Sequence, residues 1–93
     1  MKYRSLRLVK LIKTELSNIF LREIELENSL ITIEDVELSE NLSEARIKLA
    51  VFPESKGQEV LKVLKRKRSF FQDKLTRKLN IKPMPRIKFF LAR

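Results

Sequence analysis

The chain has 93 residues, 43% hydrophobic and 35% charged, with a net charge of +9; this suffices for one domain with one core and is not the composition of a disordered chain. It contains neither Cys nor His, which removes disulfides, thiolate metal sites and the commonest general base, so no metal, no cofactor and no enzyme activity are expected. The charge is segregated, with +5 in residues 1–22, −7 in 23–55 and +11 in 56–93, and such a chain presents the basic face of a polyanion binder.

No segment approaches the roughly 20 apolar residues of a membrane span. Arg7, Lys10 and Lys13 interrupt the sequence after the basic start, so no signal-peptide apolar region forms and a cytoplasmic location is expected. From Ser5 to about Leu21, Val9, Ile12, Leu16 and Ile19/Phe20 recur at helical spacing, with Leu8 and Leu11 widening the stripe. Arg4, Arg7, Lys10 and Lys13 fall outside it. Four bases without an acid among them suit phosphate contact, although an ordinary solvated helix face has the same look.

An acidic connector, Glu23 to Asn28, offers Ile24 and Leu26 as anchors. Leu30 to Leu38 is rich in β-branched residues, but Ile31 and Ile33 alternate on one face and Val36 and Leu38 on the other. One extra residue near Glu34-Asp35, a β-bulge, restores a single apolar face. Ser39 to Ser43 has turn composition, and Ala45, Ile47, Leu49 and Val51 then alternate as a half-buried strand. The two strands read as an antiparallel hairpin. Asp35 and Glu37 resemble a carboxylate pair, yet their alternation with apolar residues is that of a solvated strand face.

After Pro53, Ser55-Lys56-Gly57-Gln58 fits a capping box. The helix behind it buries Val60, Leu61 and Leu64, meets Lys65-Arg66-Lys67-Arg68-Ser69, and resumes with Phe71, Leu75 and Leu79. Four consecutive cations repel, and Ser69 can serve as a new N-cap, so a break near Arg68–Ser69 is expected. Pro83 and Pro85 forbid further helix. Ile87, Phe89 and Leu91 alternate with Lys88 and Phe90 as a third strand.

The resulting order, α-β-β-α-α-β, predicts an α+β domain spanning 1–93, three strands with helices packed on one face. Lys62, Lys65, Arg66, Lys67, Arg68, Lys74, Arg77, Lys78 and Lys82 cluster on the second and third helices with Asp73 as the one acid inside the run. Such a surface contacts phosphates without reading sequence. The run also has the composition of a nuclear localisation signal, but it lies between core positions. The phenylalanines read mostly as core; Phe70 and Phe90, out of phase, and Tyr3 near the terminus are the weaker stacking candidates.

That topology is the one of type II KH domains, single-stranded RNA modules, without their Gly-x-x-Gly clamp. Ile33-x-x-Val36-x-Leu38-Ser39 with Asn41-Leu42 and Ala45-x-Ile47, followed by Phe70-Phe71, Leu75-x-x-x-Leu79-x-Ile81-Lys82-x-x-Pro85-x-Ile87-x-Phe89, resembles the ribosome-binding factor A family across nearly the whole length. The resemblance implies a non-catalytic, KH-like factor that binds the immature small ribosomal subunit. Members assist late maturation of its ribosomal RNA, including 5′-end processing, matter most in the cold, and leave before translation. The family's kink motif Ala-x-Gly corresponds here to Lys67, Arg68 and Ser69, whose added charge should strengthen phosphate contact. The chain stops at Arg93, so the function of a longer tail is expected to be lacking.

The expectation is therefore a monomeric assembly factor, with Arg4, Arg7, Lys10, Lys65, Arg66, Lys67, Arg68, Arg77, Lys78 and Lys82 on ribosomal RNA and no membrane partner. A basic DNA- or RNA-binding module not tied to the ribosome is the alternative. A major-groove binder would bring dimerisation and a helix-turn-helix, whose glycine turn is missing. Docking of the first helix on anionic lipid would need its apolar stripe, which the core requires.

Overall fold

A 22-residue helix, α1 (Lys2–Glu23), opens the fold. The structure, a computed structural model, describes residues 2–24 and 28–92, with the side chains of residues 2–5 outside that description. Leu26, expected as an anchor, and the side chains of Tyr3 and Arg4 lie outside the described residues. Ile24, the other anchor, packs against the core.

The buried stripe of α1 is Leu8, Ile12, Leu16, Ile19 and Phe20, a turn of the helix slightly different from the expected one. Val9 is half-buried and Leu11 is 38% exposed. Periodicity admits either rotation. The choice falls to packing against β1 (Leu30–Leu38) and α3 (Arg68–Leu79), which centres Ile12 and Leu16 on the core.

β1 pairs antiparallel with β2 (Glu44–Phe52), and the register slips between Ile33 and Asp35. Ile33 faces Leu49 and Asp35 faces Lys48, so Glu34 is the extra residue of the expected bulge. It brings Ile33 and Val36 to the same buried face, and the Asp35 carboxylate accepts the Val36 N–H at 2.8 Å. Between the strands, Leu42 adopts φ 60, a left-handed conformation that costs a residue with a Cβ about 1–2 kcal/mol. Ser39 Oγ accepts the N–H groups of Ser43 and Glu44 at 3.1 and 3.0 Å, and Asn41 Oδ1 accepts the Ser43 N–H at 3.1 Å. Side-chain acceptors thus fix the turn that Leu42 alone would disfavour.

A 3-10 turn, Glu54–Lys56, leads directly into α2 (Gly57–Arg66). The expected capping box does not form. Ser55 is the middle of that turn, not an extended N-cap, and α2 starts without a side-chain cap. The backbone supplies the partners instead, with the Lys56 N–H on the Pro53 carbonyl at 3.0 Å. Beyond α3, the left-handed Asn80 (φ 51) ends the helix.

β3 (Arg86–Leu91) pairs parallel with β2, giving the sheet order β1-β2-β3. A parallel neighbour needs a crossover, and α2 with α3 supplies it. The inward residues Ala45, Ile47, Leu49, Val51, Ile87 and Phe89 join Leu64, Phe71 and Leu75 in one core. At its centre, Phe71 packs edge-on to Phe20 at 5.3 Å and to Phe89 at 6.1 Å, tying α1, α3 and β3 together. The result is the expected KH-like α+β arrangement, with the helices on one face of the sheet.

Candidate nucleic-acid interface

α2 and α3 are separated by one residue. Lys67 takes φ −97 and ψ 17, its N–H donates to Val63 at 3.0 Å, and its carbonyl accepts the Phe71 N–H at 3.2 Å. The break therefore falls at Lys67, the first of the three residues Lys67, Arg68 and Ser69 expected at the kink, while Ser69 is not the N-cap: it lies exposed inside α3, with no capping hydrogen bond from any side chain at the helix start. The reason lies in the anchors. Leu64 and Phe71, both buried, stand about two helical turns apart, so the core holds both sides of the break and only Lys67 between them leaves helical conformation.

Everything between those anchors is pushed outward. Lys65, Arg66 and Lys67 are exposed and Arg68 is half-buried, while Arg77, Lys78 and Lys82 are exposed along and beyond α3. On α1, Arg7 and Lys10 are exposed, and the Arg4 side chain lies outside the described residues. The two basic groups stand apart along α1. That helix meets α3 near its own C-terminal end, through Glu23 and Lys74 at 3.3 Å, and Arg7 stands about 24 Å back along its axis.

Charge pairing separates the two sides of the protein more sharply than the count of bases does. On the sheet, Arg46 and Lys88 both reach Glu44 at 3.2 Å, and Lys48 reaches Glu37 at 3.1 Å. Hydrogen bonds from Lys88 and then Arg46 hold the Glu44 carboxyl below its ordinary value. On the helical side, Lys74 is paired to Glu23, but Lys65, Arg66, Lys67, Arg68, Arg77, Lys78 and Lys82 make no ion pair among the described residues. An uncompensated cluster of this sort attracts a polyanion, whereas Arg46, Lys48 and Lys88 on the sheet already face carboxylates, leaving Arg86 as the sheet cation without an ion pair among the described residues.

Two rings that sequence phase left ambiguous are partly exposed, Phe70 at 41% and Phe90 at 37%. Each carries a cation over its face, Lys74 at 5.4 Å and Arg46 at 5.3 Å. The i, i+4 spacing of Phe70 and Lys74 was the available signal for the first pair. The second depends on strand register, which no local pattern contains. Among the described residues no three His, Cys, Asp or Glu side chains converge as metal ligands would, and no helix is long and apolar enough to cross a membrane.

A family model described as ribosome-binding factor A matches residues 4–93. Ribosome-binding factor A of Coprothermobacter proteolyticus is 33% identical over 89 residues, which are 95% of this chain and 65% of that relative's length. The crystal structure of ribosome-binding factor A from Thermus thermophilus is similar with a TM-score of 0.80 at 26% identity, covering 95% of this chain and 94% of that one. A Thermus thermophilus ribosome binding factor A homology model, fitted into a cryo-electron-microscopy map of its 30S complex, matches with a TM-score of 0.75 at 26% identity over 88% of each chain.

Proposed function

The chain belongs to the ribosome-binding factor A family, and on that premise we propose that it is a ribosome assembly factor that binds the immature small ribosomal subunit through the basic side of α2 and α3. The observation that carries this reading is the set of seven cations from Lys65 to Lys82 that no carboxylate neutralises among the described residues. Arg7 and Lys10, with Arg4, extend the contact along α1. The Thermus thermophilus relative fitted into a 30S complex supports the same partner for this chain.

Each of these cations takes a phosphate and releases a counterion. Phosphate contacts position a protein by backbone shape, so docking selects folded ribosomal RNA and not a sequence. The protein acts as a single KH-like RNA-binding domain, a monomer in the cytoplasm, with no chemistry of its own. Its bound state assists late maturation of the ribosomal RNA, including 5′-end processing, matters most in the cold, and ends before translation begins.

Sucrose-gradient sedimentation of a low-salt lysate, with immunodetection of the chain, tests the assignment. Co-migration with small subunits or their precursors, and absence from translating ribosomes, is the expected result. Recovery only at the top of the gradient would overturn it in favour of a nucleic-acid-binding module free of the ribosome.

A further inference from the structure

We propose that Phe70 is a stacking platform for an unpaired base of ribosomal RNA, set within the basic stripe of α3; this rests on the RNA-binding reading above and names the element of RNA it selects. The Phe70 ring stands edge-on to the buried Phe71, with centroids 5.3 Å apart at 76°, so packing from below fixes its orientation. It is nonetheless 41% exposed, and phenylalanine is a middling helix former with nothing to gain from water. Unpaired bases in folded RNA are held by this kind of ring.

The surroundings distinguish Phe70 from the other exposed ring under a cation. At Phe90, the covering Arg46 is bonded to Glu44, Lys88 shares the same carboxylate, and Lys48, opposite Phe90 in the sheet, is held by Glu37. A nucleotide there would meet three cations already engaged and one, Arg86, without an ion pair among the described residues, two residue pairs down the strand from the ring. On α3 the spacing is different. Phe70, Lys74 and Arg77 follow one another at i, i+4 and i+7, which places them on one face of α3, and Lys67 stands at the helix start three residues before the ring. Arg77 lies about 10.5 Å along the axis beyond the ring, and Lys67 caps the helix on its other side. Neither has a carboxylate partner among the described residues. Lys74 is steadied by Glu23, and Asp73 flanks the stripe. A base laid on Phe70 leaves its flanking phosphates between two free cations.

Stacking and phosphate contact respond differently to salt, and this separates them. Two probes suffice: an RNA hairpin with one bulged 2-aminopurine, and the same hairpin without the bulge. Phe70→Leu keeps apolar contact with Phe71 but has no π face. It should bind the bulged hairpin about tenfold more weakly than the parent, bind the plain hairpin unchanged, and keep the parent's dependence on salt. Phe70→Trp gives a second readout, because the chain contains no other tryptophan. Its fluorescence should be quenched by the bulged hairpin and not by the plain one. Equal binding of both hairpins by Phe70→Leu and the parent, or no selective quenching in Phe70→Trp, overturns the proposal. If alanine at Lys65 to Arg68 still weakens binding in that case, the basic face stands without the stack. If the parent binds neither hairpin, the RNA-binding reading falls first and the stack with it.

Discussion

The side chain of Gln72 serves Ile87 as a second neighbouring strand. Its Oε1 accepts the Ile87 N–H at 2.7 Å while its Nε2 donates to the Pro85 carbonyl at 3.0 Å. On the other side, Ile87 pairs with Ala45 and the Arg86 N–H donates to the Ser43 carbonyl at 2.9 Å. The entry of β3 is thus gripped by the sheet and by α3 together. This grip fixes the rotation of α3 on the core, and the rotation decides that Lys74, Arg77 and Lys78 face outward.

Removing the clamp should be costly for so short a side chain. Gln72→Ala leaves the Ile87 N–H and the Pro85 carbonyl without their partner, and one unsatisfied group of this kind costs about 1–3 kcal/mol. Because the site is only part-buried and water reaches some of it, a total destabilisation of about 2 kcal/mol is expected in urea unfolding. Gln72→Glu should do no better, since it loses the donor and sets a carboxylate against a carbonyl. Unaltered stability in both variants would show that the backbone groups find other partners.

Phe71 is the larger liability. It is 1% exposed and contacts Phe20 and Phe89, so Phe71→Ala opens a cavity where three elements meet and should cost about 3–5 kcal/mol. That is a large part of the roughly 5–15 kcal/mol that holds a domain folded. Leu21, 83% exposed, is the control, and Leu21→Ala should stay within about 0.5 kcal/mol of the parent. Equal effects in thermal unfolding would mean the core is centred elsewhere.

Several of these features could be read without coordinates, and the division has a physical cause. The alternation of Ala45, Ile47, Leu49 and Val51 has one solution, and so does the change of apolar phase between Ile33 and Val36 that demanded a bulge at Glu34. The rotation of α1 has two solutions, and only packing against β1 and α3 selects Leu8 over Val9. Ser55 and Ser69 have the residue type of N-caps, but backbone hydrogen bonds from the 3-10 turn and from Lys67 occupy those helix starts. The basic run was legible as charge. Its freedom from carboxylates was not, because pairings such as Glu44 with Lys88 depend on register between strands far apart in sequence.

Glu44 predicts a specific response to acid. Lys88 and Arg46 favour its charged form in the folded protein, so its carboxyl sits below the ordinary value of 4.5. Between the two values the unfolded chain binds more protons, and stability from this group rises with pH. It is fully present above 4.5 and disappears as pH falls through the lowered value. Parent and Glu44→Gln should therefore differ slightly in urea midpoint at neutral pH, as a solvent-screened pair does, and converge in acid. Added salt should shrink the neutral-pH difference as well. A gap that widens on acidification would assign the effect to another group.

The basic run carries the strongest functional prediction. Lys65, Arg66 and Lys67 are exposed, and none of Lys65 to Arg68 makes an ion pair among the described residues. Replacing all four with Ala should leave cooperative unfolding intact. Binding to structured RNA should weaken, and the slope of log affinity against log salt should fall by about 0.7–0.9 for each phosphate no longer neutralised, or about 3 in all. The matched control is Arg46→Ala with Lys48→Ala and Lys88→Ala, whose cations already hold Glu44 and Glu37 and so release few counterions on binding. Their slope should stay near the parent's. If the sheet variant showed the larger fall in slope, the RNA would lie on the sheet, and the helical cations would be serving solubility alone. A quadruple variant that unfolds without cooperativity would show instead that the run supports the α2–α3 junction, with Arg68, half-buried there, as the first residue to restore.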